Sequence, residues 1–202
     1  MTQIALPLTL VDAGPGPIVV GTSNRAVAEA LADPSHWPFR TAILAGPPRS
    51  GRSLLTRWFE GQGLGDAIDD ADREDETKLF HRWNRAQEDG RGLLLTVSEG
   101  GWHIALPDLR SRMGAALQLE IGAPDDNEAG ELILAHAARR GLALGDGAPA
   151  YLVPRMERSH EAIERVVAEI DRLSLERMMP ATLSLWRDAL DAVQGPEQGR
   201  LL

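Results

Sequence analysis

Two hydrophobic periods succeed one another along this chain, and the change between them marks its main division. In the first part, short apolar runs bounded by glycine, proline or acidic residues recur at Thr41-Ala42-Ile43-Leu44-Ala45, Ala67-Ile68, Leu93-Leu94-Leu95-Thr96-Val97 and Leu117 to Ile121. Runs of this length with such borders read as buried strands. Helical spacing lies between them. Ile18-Val19-Val20 leads into Asn24 to Leu31, with Ser23 as the expected N-cap, and Leu54 to Phe59 forms a second helix. Thr77 to Glu88 places Leu79, Phe80, Trp83 and Ala86 inward, and Leu106 to Met113 makes a short helix. From Pro124 the helical period takes over completely. Asp125 with Glu128 reads as a capping-box start for a helix to about Arg140. Gly147 to Met156 bends at Pro154, and Ser159 to about Met178 and Thr182 to Val193 follow. The expected architecture is α/β: a parallel sheet flanked by helices over residues 18–122, then a small all-α lid over 123–195. Residues 1–17, punctuated by Pro7, Gly14, Pro15, Gly16 and Pro17, read as an extended tail and linker, and 196–202 as a frayed end.

The first strong run ends in chemistry. Gly46-Pro47-Pro48-Arg49-Ser50-Gly51-Arg52-Ser53 spells a phosphate-binding loop between strand and helix, with arginine where the usual lysine stands. The glycines let backbone N–H groups curl round phosphates, and the Ser53 hydroxyl is the Mg²⁺ ligand of the pattern. Arg52 keeps the charge but changes the shape: a planar, bidentate guanidinium suits a diphosphate better than it replaces a catalytic point charge. The run Ala67-Ile68 ends in Asp69-Asp70-Ala71-Asp72. A carboxylate at such a strand end holds Mg²⁺ in P-loop folds, and a second can polarise water; the same acids read equally well as an acidic turn opening a helix.

Composition narrows the function. At 202 residues and 43% hydrophobic, the chain suits one α/β unit with a small subdomain. No run is long enough to cross a bilayer, no charged-then-apolar leader opens the chain, and there is no cysteine, so a cytoplasmic location is the default expectation. Disulfides, thiolate metal sites and a cysteine nucleophile are excluded by the same count. The net charge of −9, with arginines scattered among carboxylates, argues against tight sequence-independent association with a polyanion, and no direct sequence-specific DNA binding is expected.

Strand, arginine-bearing P-loop, acid-tipped strand, apolar strand, Leu109-Arg110-Ser111-Arg112 and helical lid stand in one order from Ile18 to about Val193. That order resembles the AAA+ module of the replication initiator DnaA. Stopping after the lid, without a carboxy-terminal helix-turn-helix domain, it resembles the Hda-type regulators. The resemblance implies that Val19, Val20 and Gly21 contact adenine, and that Gly46, Pro48, Arg49, Ser50, Gly51, Arg52, Ser53 and Leu54 hold the phosphates of ADP or ATP. It implies Ser53 and Asp69 as Mg²⁺ ligands, Asp70 as the water-positioning acid, and Arg112 as an arginine finger acting on a neighbour's nucleotide. Gln3-Ile4-Ala5-Leu6-Pro7-Leu8 matches the Q-x-x-L-x-L peptide with which such regulators bind the β subunit sliding clamp of DNA polymerase III, Leu6 and Leu8 anchoring beside Pro7 and Gln3 supplying hydrogen bonds.

The expected function is negative regulation of chromosomal replication initiation: tethering to the clamp, docking on ATP-bound DnaA and completing its hydrolytic site with Arg112. A nucleotide-free adaptor bridging clamp and initiator is the alternative, and a stand-alone nucleotide hydrolase the second. The resemblance is also compatible with a homo-oligomer. The departures from the pattern favour weak or no ATPase activity of the chain's own. Few residues separate Ser53 from Asp69, so the sheet edge is expected to be shortened; Ser98 stands at the sensor position; and Glu161 falls where a lid arginine usually reaches the phosphates, with Arg158 or Arg165 as neighbouring substitutes.

Overall fold

The computed structural model describes residues 18–195, so the clamp-peptide residues Gln3, Leu6, Pro7 and Leu8 lie outside the described residues, as do 196–202. Helix α1 (Arg25–Leu31) opens the described chain and buries Val27 and Leu31. Its N-cap is Asn24, one residue beyond the Ser23 expected from sequence, because Ser23 is drawn into contacts with a distant helix. The Asn24 side chain ties the preceding segment instead, accepting from the Gly21 amide at 3.0 Å and donating to the Val19 carbonyl at 2.8 Å.

The sheet is parallel throughout: β1 (Thr41–Gly46), β2 (Gly65–Ile68), β3 (Gly92–Ser98) and β4 (Leu117–Glu120), in the order β2-β3-β1-β4. β1 and β3 are central and almost wholly buried, which is why their sequences read as continuous apolar runs rather than alternating ones. Ala42 and Leu44 point to one face, where α1 and α2 (Arg52–Gly61) pack through Leu31, Leu55 and Phe59. Ile43, Leu93, Leu95 and Val97 point to the other, under α3 (Glu76–Glu88) and α4 (Pro107–Ala115) with Leu79, Ala86, Leu109 and Met113.

The short segment after the phosphate loop has a clear consequence. α2 runs directly into β2, so the strand carrying Asp69 at its end is itself the edge of the sheet.

The helical part has its own core. α5 (Asp126–Arg139), α6 (Ala148–Leu152), α7 (His160–Arg177) and α8 (Leu183–Gln194) bury Ile133, Leu152, Ile163, Val167, Ile170, Leu185 and Leu190 against one another. A 3-10 turn at Val153–Arg155 continues α6, as Pro154 requires. Ser159 caps α7 by accepting from the Ala162 amide at 3.2 Å. Among the described residues no helix is long and apolar enough to cross a membrane.

Candidate functional site: the phosphate loop between base and lid

The loop from Gly46 to Ser53 joins the C-terminal end of β1 to the N-terminus of α2. Gly51 occupies the N-cap in the left-handed region (φ 90°), a conformation that favours glycine, and no side chain caps the helix. Backbone N–H groups at an uncapped helix start are an anion-binding feature, and Arg49 and Arg52 add two cations to the same loop. The Ser50 hydroxyl is buried there without a hydrogen-bond partner among the described residues. Together these groups fit a diphosphate.

Arg52 takes an unexpected direction. Its guanidinium donates to the Val97 carbonyl at the end of β3 and lies 3.8 Å from an Asp70 carboxylate oxygen, with its side chain 15% exposed. The β-phosphate role expected of it therefore competes with partners inside the protein. Arg49, in the left-handed region at φ 64°, reaches the lid and meets Glu164 of α7 at 3.5 Å. Glu164 also meets Arg140 of the lid at 3.5 Å.

That contact corrects the sequence reading of the lid. Glu161 was expected to face the phosphates, but it is exposed, and Glu164, one turn later, is the carboxylate turned to the loop. α7 buries Ile163, Val166 and Val167 against the lid core, and this sets which face meets the base. Of the two substitutes, Arg158 pairs with Asp126 at 2.6 Å and Arg165 is exposed.

The acids after β2 are organised by β3. Thr96, fully buried, donates its hydroxyl to Asp69 at 2.6 Å and accepts from the Asp70 amide at 2.9 Å. Asp70 adopts φ 49° and lies 3.4 Å from Arg73 as well as near Arg52. Asp72 accepts from the Ser98 amide at 3.1 Å; burial pushes its carboxyl upward, but hydrogen bonds from the Ser98 hydroxyl and amide hold it below the usual carboxylate range. Ser98 thus orders the acidic turn. No hydrogen bond among the described residues links Ser53 to Asp69, and no cluster of three acidic or histidine side chains suited to a metal is present among them. A Mg²⁺ ion that keeps several waters and uses a phosphate needs only one or two protein ligands, so this arrangement is compatible with the Ser53 and Asp69 assignment.

Arg112 lies elsewhere, on the last turn of α4. Its guanidinium carbon lies over the Phe80 and Trp83 rings of α3, 4.2 Å and 4.3 Å from the centroids, and the group donates to the Asn84 side chain at 2.6 Å. Glu76, at the start of α3, accepts from the Ala105 and Leu106 amides just ahead of α4 at 2.8 Å and 2.6 Å. Sequence reasoning placed Phe80 and Trp83 in the core; the structure shows a face of α3 that holds the arginine as well.

The segment expected to meet adenine, Val19 to Gly21, is partly buried beside α5. Glu128 was missed as a site residue because Asp125 and Glu128 read as a capping box. Asp125 does cap the Glu128 amide at 2.8 Å, but the Glu128 carboxylate turns to Ser23 instead of returning to its own helix start.

No protein-family model matches the sequence. Among solved structures, domain III of the replication initiation protein DnaA from Thermotoga maritima superposes with TM-score 0.69 at 14% identity, over 89% of this chain and 95% of that chain. The RuvB Holliday junction branch migration motor of Thermotoga maritima gives TM-score 0.60 at 18% identity, over 86% of this chain and 70% of that one. AMPPCP-bound DnaA from Aquifex aeolicus gives 0.60 at 17%, over 85% and 67%. At such identities the likeness speaks for fold alone, and it is unambiguous: the chain has the AAA+ fold of DnaA domain III, a parallel α/β base bearing a helical lid.

Proposed function

We propose that the chain is a regulator of replication initiation that acts on a DnaA-type initiator rather than as an initiator or a self-sufficient ATPase. The observation that carries this reading is the setting of its two arginines. Arg52, in the phosphate loop, is engaged by the Val97 carbonyl and neighbours Asp70, an arrangement suited to holding ADP or ATP without turning it over. Arg112, on the last turn of α4, is held against two aromatic rings and one amide oxygen. Contact with the rings uses none of its N–H donors and Asn84 engages one nitrogen, so in this reading the rest serve an anion on a partner's nucleotide.

In this reading Gln3, Leu6, Pro7 and Leu8 tether the protein to the sliding clamp on newly replicated DNA and raise its local concentration. The AAA+ face then docks on the ATP-bound initiator and Arg112 stabilises charge as that ATP is hydrolysed. Within the chain's own site, the N–H groups from Arg49 to Leu54 and the cations of Arg49 and Arg52 would hold the phosphates, Ser53 and Asp69 the Mg²⁺, Asp70 would orient water, and Val19 to Gly21 would contact the base.

Stimulation of initiator ATP hydrolysis in the presence of clamp loaded on DNA tests the finger. Arg112→Ala is expected to reduce it by at least ~10³-fold. Unchanged stimulation removes the role. Equal recovery of wild type and Gln3→Ala/Leu6→Ala on immobilised clamp removes the tether.

A second reading, a nucleotide-free adaptor bridging clamp and initiator, is favoured by one observation: Arg49 and Arg52 both already have protein partners. Calorimetric titration with ADP and with ATP separates the two, since the adaptor binds neither.

A further inference from the structure

Glu128 is the most deeply buried carboxylate among the described residues, 1% exposed, and no cation pairs with it there. Its partners are all on the segment ahead of α1. One oxygen accepts from the Ser23 amide at 2.9 Å and from the Thr22 hydroxyl at 3.4 Å; the other accepts from the Ser23 hydroxyl. Residues 105 positions apart are thereby joined, since Glu128 belongs to the lid and Ser23 to the base.

The neighbouring groups make the join specific. A Cβ at Gly21 would overlap the Glu128 carboxylate, so the backbone at Gly21 passes directly against it. Asp125 accepts from the Thr22 hydroxyl at 2.8 Å; the hydrogen bond from the Glu128 amide, and then this one, hold its carboxyl below the usual carboxylate range. The Ser23 carbonyl accepts from the Gly122 amide at 3.0 Å, and the Gly122 carbonyl lies 3.1 Å from His160 at the start of α7. Gly21, Thr22 and Ser23 are therefore held by α5, its N-cap Asp125 and Gly122 of the β4–α5 connection, and His160 at the start of α7 meets Gly122 in turn.

A buried carboxylate without a counter-charge is retained only when its lone pairs are satisfied, so the Glu128 site is strict about where Ser23 sits. We infer that Glu128 is a positioning residue that couples residues 18–24 to the lid, so that placing Val19 to Gly21 against a nucleotide base and seating α5 on the base domain are one event. The inference rests on the proposal that this segment contacts the base of ADP or ATP. It goes further in assigning to one lid side chain the control of base recognition apart from phosphate recognition, which belongs to the loop at Gly46 to Ser53.

The test compares ADP with pyrophosphate, which shares the phosphates and lacks the base. Glu128→Ala is expected to weaken ADP binding about tenfold while pyrophosphate binding is unchanged. Glu128→Gln should recover most of the loss, because its amide can accept from the Ser23 N–H and donate to the Ser23 hydroxyl. Thr22→Ala/Ser23→Ala, on the more exposed side of the contact, repeats the experiment if Glu128→Ala does not fold, and should weaken ADP selectively as well. Hydrogen exchange without nucleotide supplies a second readout: the Ser23 amide should exchange faster in Glu128→Ala than in wild type. Unchanged ADP affinity in both variants, or equal loss of ADP and pyrophosphate, overturns the inference while leaving nucleotide binding in place. If the wild-type protein binds neither ligand, the nucleotide reading fails and the inference falls with it.

Discussion

Arg52 and Arg112 are both partly buried arginines held by the protein, yet their surroundings are opposite in kind. Arg52 is met at Nη1 by a backbone carbonyl, and the same nitrogen stands near a carboxylate, so one end of its donor edge is used inside the chain. Arg112 lies against the Phe80 and Trp83 rings and is met on one nitrogen by Asn84, so it is positioned with fewer of its donors used. A guanidinium met by oxygen acceptors shares part of its donor edge with the protein; one met by rings keeps more of that edge free. The comparison teaches that one fold can hold a guanidinium by oxygen acceptors that use its donors or by rings that do not, and the proposed action on a partner's nucleotide rests on the second setting.

Removing a ring breaks the comparison hardest. Trp83→Ala takes away one stacking face and the 3.1 Å bond from the indole to the Thr41 hydroxyl, so stimulation of initiator hydrolysis should fall about 100-fold, ~2.7 kcal/mol in the transition state. Arg52→Ala sharpens it from the other side: ADP affinity measured by calorimetry should drop about tenfold, ~1.4 kcal/mol, as a charge-assisted contact is lost. Thr96→Val removes the hydroxyl shared by Asp69 and the Asp70 amide in a fully buried position, and urea unfolding should show a loss of about 1–2 kcal/mol.

The smallest effect concerns pH. Burial pushes the His136 imidazole below its ordinary range, Glu164 opposing and Arg139, Arg140 and His160 adding to the shift. The unfolded chain therefore binds a proton that the folded one refuses. The His136 contribution is complete above about pH 6.5 and is lost as pH falls below it. Urea midpoints at pH 7.5 and pH 5.5 should differ less in His136→Leu than in wild type.

Much of this was legible from sequence, for physical reasons that differ by element. β1, the phosphate loop and α2 are local: an apolar run, glycines and an uncapped helix start specify them with little outside help. The separate lid core follows from helical period alone. The sheet edge was legible as a shortage of residues after Ser53, and the result is that β2 is the edge. What escaped is tertiary. Ser23 reads as an N-cap until Glu128 claims it from the lid, and Glu128 reads as half of a capping box until Ser23 offers it better donors. Glu161 and Glu164 lie one turn apart, and only the packing of α7 decides which faces Arg49. The stacking of Arg112 depends on α3 and α4 meeting along one face, which no spacing within either helix reveals.

The central claim, that this chain's chemistry is delivered to a partner's nucleotide rather than its own, is tested most directly by one paired ATPase measurement. The chain is assayed alone, and then with ATP-bound initiator and clamp on DNA, using initiator carrying radiolabelled ATP so that the source of product is known. The account predicts negligible turnover by the chain alone and rapid conversion of initiator-bound ATP to ADP when the two are combined. Turnover by the chain alone, with initiator-bound ATP left intact, contradicts it.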